Sequence, residues 1–86
     1  GPSFEDIEKG VVKVLGKDRV FYKKICIYLS HQYSGMKLDE IGAHFGMKGG
    51  AVSQLSRRLK EAIRGNKGLG EILGKVKKEV LLNVET

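Results

Sequence analysis

The chain has one cysteine, no tryptophan, and ten acidic residues against sixteen lysines and arginines in 86 positions. A single thiol, Cys26, can close no internal disulfide, and no second cysteine is present to share a zinc ion with it. That usage fits a reducing, intracellular setting. No apolar run approaches the ~20 residues that cross a bilayer, and no secretory signal is visible. Hydrophobic residues make up 41% of the chain, too many for a disordered segment. Strong alternation of apolar and polar residues is lacking, as are internal repeats and low-complexity linkers. "VLLNV" near the end could make a short strand, but it has no obvious partner.

What is there reads as one small domain. A chain of 86 residues buries roughly two-thirds of the surface its unfolded form exposes, so its core must be economical. Gly1, Pro2 and Ser3 look like what a protease leaves when a tag is removed. Residues 4–84 are then the expected domain, cut from a longer protein.

Helical spacing recurs five times. Ser3 can cap a first helix, with Asp6 three residues on as its capping-box partner. Phe4, Ile7, Val11, Val14 and Leu15 follow on one side, and Gly16 stops the run. Asp18 is the cap expected for a second helix, with Phe21, Ile25, Tyr28, Leu29 and Gln32 inward. "KLDEIGAHF" fits a short third helix with Leu38, Ile41 and Phe45 inward and Gly46 at its end. "MKGG" reads as a turn. A fourth helix carries Val52, Leu55, Leu59 and Ile63 as its apolar stripe. Asn66 can cap a fifth, which holds Leu69, Ile72, Leu73, Val76, Val80 and Leu81. Gly68, Gly70 and Gly74 weaken that last helix by up to ~1 kcal/mol each, a cost that close helix packing would explain. The expected fold class is all-α, about five helices.

The net charge of +6 is unevenly placed. Residues 17–37 carry +4, from Lys17, Arg19, Lys23, Lys24 and Lys37 against Asp18. Residues 48–67 carry +5, from Lys48, Arg57, Arg58, Lys60, Arg64 and Lys67 against Glu61. A sequence pI near 9.6 points to an anionic partner, nucleic acid before a membrane surface.

Residues 38–64 have the form of a helix-turn-helix, whose second helix enters the DNA major groove. Asp39 and Glu40 sit in the first turn of the first helix, where they favour its dipole. Gly46, Gly49 and Gly50 lie between the two helices and permit a close approach to a phosphate backbone. With the apolar stripe of the second helix inward, Ser53, Gln54, Arg57, Glu61 and Arg64 face out. Gln and Arg have the bidentate geometry that reads adenine and guanine edges, and Ser53 is small enough to let the helix start sit deep. Base reading is therefore expected of Ser53, Gln54 and Arg57. Lys48, Arg58 and Lys60 flank that face and suit phosphates; for Arg58, Lys60 and Lys67 a merely solvated face is the competing reading.

"KKICIYLSHQYSGMKLDEIGAHFG" resembles the core of the C-terminal, Trp-repressor-like DNA-binding domain of the DnaA replication initiators. Ile25, Tyr28, Leu29, Gly35, Leu38, Glu40, Ile41, Gly42, Phe45 and Gly46 sit on matching positions, and L-x-E-I-G-x-x-F-G is the specific part. The initiators continue with "GRDHTTV", which reads their origin boxes; here the text is "MKGGAVSQL", without the Asp, the His or the paired Thr. "AVS" and the basic helix after it are similar instead to the DnaA-like domain of REP-associated bacterial tyrosine transposases, and "RRLKEAIRGNKGLGEILGKVKKE", residues 57–79, resembles their final helical segment. The resemblance covers roughly residues 17–80. It implies double-stranded DNA binding and a basic loop before the second helix that reaches phosphates or the minor groove. Lys17, Arg19, Lys23 and Lys24 match that loop, and His31 falls where relatives carry a basic residue.

No enzyme chemistry is expected of this domain. His31 and His44 lack the spaced partners of a metal site, and no cofactor motif is present, P-loop spacing included. Tyr22, Tyr28 and Tyr33 lack the His-hydrophobe-His pair that would activate a transposase tyrosine. A catalytic domain would lie upstream, and could itself touch this one. The expected partner is duplex DNA and not a membrane, since 69–82 is amphipathic but carries no Trp or Phe. The expected location is the cytoplasm, at the nucleoid. The competing class is a helical protein-interaction module docking to an acidic partner or a sister domain.

Overall fold

A computed structural model describes residues 1–16 and 20–85, Glu85 by its backbone alone. Five helices follow in order: α1 (Phe4–Leu15), α2 (Phe21–Tyr33), α3 (Leu38–Ala43), α4 (Gly49–Arg64) and α5 (Lys67–Glu85). No strand occurs among the described residues, and "VLLNV" is the end of α5. The all-α expectation holds.

The caps explain most of the boundaries. Ser3 Oγ accepts from the Asp6 N–H while Asp6 Oδ2 accepts from the Ser3 N–H, both at 3.1 Å, which completes the expected capping box. Gly16 ends α1 at φ +66°, a conformation that side chains disfavour. Asn66 Oδ1 accepts from the Leu69 N–H at 3.0 Å and opens α5. The cap position of α2 falls on Val20, which offers no side-chain oxygen; Asp18 lies outside the described residues.

α1 makes its most extensive contact with α5. The two run antiparallel: Asn83 Nδ2 donates to the Asp6 carbonyl at 3.0 Å, and Gly10 lies against Val80. A β-carbon on Gly10 would meet Val80 Cγ2 at 2.6 Å and its backbone N at 3.0 Å, so the crossing requires glycine there. The glycines expected to serve close packing do not. Nothing lies within 4 Å of a β-carbon at Gly70 or Gly74, and only the Asn66 side chain is near Gly68.

The core has two parts. Ile7, Val11, Ile25, Cys26, Leu29, Leu59, Leu69, Leu73, Val76 and Val80 join α1, α2, α4 and α5. Ile27, Ile41 and Val52 form a second cluster, with Met36, Leu38, Phe45, Met47 and Leu55 around it. α2 serves both and is buried on two sides. Ile27, absent from the expected inward set, is fully buried, while Phe21 and Gln32 are exposed. A helix buried on two sides leaves no single apolar stripe for periodicity to find. Leu81 is likewise exposed, 58%.

The short α3 is held at both ends. Glu40 Oε1 accepts from the Lys37 N–H at 3.1 Å. At the other end, the His44 ring stacks on Phe4 with centroids 3.8 Å apart, and Phe45 meets Phe4 and Tyr22 edge-on. α3 is thereby fixed to the start of α1 through aromatic faces, which supply packing area without long flexible side chains.

Candidate nucleic-acid interface

α3 and α4 are joined by residues 44–48. "MKGG" was expected to be turn throughout, but Gly49 and Gly50 are the first residues of α4, and only Gly46 takes a positive φ, +64°. Gly46 lets the chain reverse, and the Met47 N–H then bonds the Gly42 carbonyl at 2.9 Å. Gly42 has no room for a side chain, since a β-carbon would meet the Met47 carbonyl oxygen at 2.1 Å. Gly49 is buried. Its N–H donates to Asp39 Oδ1 at 3.0 Å, so it serves the joint between the helices and offers nothing to a phosphate. Asp39 therefore does more than favour its own helix dipole: it caps α4 from the neighbouring helix. Sequence reading missed this because the pair is ten residues apart and belongs to no local capping pattern.

With Val52, Ser56 and Leu59 buried and Leu55 and Ile63 half-buried, α4 turns a broad face outward. Ser53, Gln54, Arg57, Glu61 and Arg64 are all exposed, as the sequence predicted. Gly50, Gln54, Arg57 and Glu61 form the middle of that face by helical spacing. Ala51, Arg58 and Ala62 lie along one flank, Ser53, Lys60 and Arg64 along the other. Glu61 and Arg64 approach within 3.6 Å, both well exposed, a pair of little energetic weight. Lys48, Arg57, Arg58 and Lys60 form no ion pair among the described residues.

α2 crosses beneath α4 and emerges on both flanks. Its first turns place the exposed Lys24 across an open groove of about 450 Å³ from Gln54 and Arg58, over a floor that includes Met47, Leu55 and Leu59. Near its other end, His31 reaches the opposite flank, where its Nδ1 lies 2.9 Å from Ser56 Oγ. That bond fixes the ring while leaving the residue exposed. Lys23 is half-buried and does not line the groove. Lys17 and Arg19 lie outside the described residues.

The structure thus gathers Lys24, Lys48, Gln54, Arg57 and Arg58 around the outer side of α4 and its start, with Ser53, Lys60 and His31 on the far flank. Sequence reading had no signal for Met47, Ala51 and Ala62 as groove residues, because they are small or apolar and carry no charge.

Other reactive side chains are committed to packing. Tyr22 donates to the Glu8 carboxylate, and burial followed by that bond raises its pKa. Burial, and then the Glu8 carboxylate, push the Cys26 thiol up to about 12. No three His, Cys, Asp or Glu side chains cluster as metal ligands among the described residues. No helix there is long and apolar enough to cross a membrane. Set against known protein families, characterised proteins and solved structures, the chain matches none.

Proposed function

We propose that this chain binds double-stranded DNA in a sequence-specific manner, using α3 and α4 as a helix-turn-helix and α2 as a second source of cations. The observation that carries the reading is the outer side of α4. Gln54, Arg57 and Arg58 stand exposed on it with Lys48 at its start and Lys24 across the groove, and no carboxylate pairs with any of these cations among the described residues. Side chains of planar, multidentate geometry in the middle and point charges around them are what base reading and phosphate anchoring respectively need. Gln54, Arg57 and the small Ser53 read bases; Lys24, Lys48, Arg58, Lys60 and His31 hold the backbone. The resemblance of residues 17–80 to DnaA-like domains extends the proposal, making the chain the DNA-targeting part of a transposase-related or replication-initiator-like protein acting at the nucleoid.

A salt titration on random duplex DNA tests the core of it. Three to six cations on phosphates give a slope of log K against log salt of roughly −3 to −5. Affinity that stays constant from low to moderate salt would remove DNA from consideration.

A second reading, docking to another protein, draws on a different face. Pro2, Leu29, Tyr33, Lys77, Val80 and Leu81 line an apolar groove of about 210 Å³. Leu82 and Val84, farther along α5, are also exposed. This face and the α4 face share no residue, so Leu81→Glu separates the two: it leaves salt-dependent DNA affinity intact and abolishes any docking there.

A further inference from the structure

Ala51 is the first side chain on the exposed surface of α4, one turn before Gln54, and both line the same open groove. Gly50 beside it has open space where a side chain would stand. No side chain of α4 therefore precedes Ala51 on this surface, and its methyl is the foremost apolar group of the helix itself, with Met47 and Lys24 beside it in the groove lining. Its neighbour at the i+3 position is an amide. In the major groove a T·A pair shows a methyl group on thymine, and adenine shows an acceptor and a donor side by side. Alanine packs on the former and glutamine pairs with the latter. Recognition helices enter the groove with their N-terminal residues against the base edges, which is where Ala51 and Gln54 lie.

Resting on the DNA-binding reading above, we infer that Ala51 and Gln54 act together as a specificity element for thymine–adenine pairs, the Ala51 methyl contacting a thymine 5-methyl and the Gln54 amide an adenine edge. The target site is then distinguished by a T·A pair, or two adjacent ones, read by the first two turns of α4. Arg57 and Arg58 lie farther along the helix and act on neighbouring positions.

The experiment removes single methyl groups from the DNA. A duplex is selected from a randomised pool with the wild-type domain, and each thymine in it is replaced in turn by deoxyuridine, which differs only by that methyl. At one position the change should weaken wild-type binding about fourfold, the worth of one buried carbon. Ala51→Gly should bind the thymine duplex about fourfold more weakly and be indifferent to deoxyuridine at that position. Ala51→Ser, which better keeps helix propensity, controls for any loosening of the helix start and should also lose most of the discrimination. Replacing the paired adenine by 7-deazaadenine should cost wild type at least tenfold and Gln54→Ala little. Wild-type tolerance of every deoxyuridine, or the same deoxyuridine penalty in wild type and both Ala51 variants, overturns the inference while leaving DNA binding in place. Failure to select any duplex overturns the DNA-binding reading and this one with it.

Discussion

Gly49 donates its backbone N–H to Asp39 Oδ1 at 3.0 Å, and the same close approach leaves no space for a β-carbon on Gly49, which would stand 2.5 Å from that oxygen. One contact both caps α4 and sets its distance from α3. Asp39→Ala should cost about 1 kcal/mol, the usual worth of a helix cap, and Asp39→Asn, which keeps an acceptor, appreciably less. Urea midpoints measure this; equal stability of wild type and Asp39→Ala would show that the bond holds nothing in place.

Glycines on α1 and α5 should respond to alanine with opposite signs. At Gly10 the new β-carbon meets the Val80 backbone at 3.0 and 3.3 Å, which cannot swing aside. Overpacking of about 1–3 kcal/mol then exceeds the gain of up to ~1 kcal/mol in helix propensity. At Gly70 and Gly74 there is open space, so alanine should stabilise by about 0.5–1 kcal/mol each. Thermal melts of the three variants check the contrast, and a rise in Tm for Gly10→Ala would mean that the α1–α5 crossing is looser than described.

Alkaline pH should destabilise the fold through Cys26. Its thiol goes from 9.0 up to about 12 in the folded chain. Between those values the unfolded chain has lost the proton and the folded chain keeps it, so stability falls as pH rises through that window. The slope for one such group is at most ~1.4 kcal/mol per pH unit. Tyr22, also raised, adds to the loss above its ordinary value. Cys26→Ala should show a shallower alkaline loss than wild type in urea titrations from pH 8 to 11. Identical slopes would assign the loss to other groups.

On DNA, Arg57→Ala and Lys24→Ala should fail in different ways. Arg57→Ala should cost about 1–3 kcal/mol on a selected site and relax one or two positions. Lys24→Ala should weaken selected and scrambled duplexes alike and flatten the salt slope by roughly one. If Arg57→Ala lowers both duplexes equally, Arg57 clamps the backbone and reads no base.

The caps and stripes of α1, α4 and α5 were legible because each is a local pattern: Ser3 with Asp6, Asn66 before Leu69, and Val52, Leu55, Leu59 and Ile63 at helical spacing. The outward set on α4 followed from the stripe by elimination. What escaped depends on pairs distant in sequence. Gly10 looks like any helical glycine until Val80 is brought against it, and Ile27 looks outward-facing until α3 and α4 cover the second side of α2. The mixed polarity of α2 hid its central place. "MKGG" was misread because glycines usually punctuate, whereas here Gly49 is demanded by a neighbour's carboxylate and Gly50 leaves the helix start bare.

The antiparallel pairing of α1 with α5 has a topological consequence. With Asp6 bonded to Asn83, the start of α1 and the last turns of α5 lie side by side. A short glycine-serine bridge could therefore join them, and new ends opened at Gly65 and Asn66 would give a circular permutant that begins with α5 and finishes with α4. For the same reason the fold can sit inside a surface loop of a host protein without pulling the host's flanking segments apart, its ends acting as a single stem.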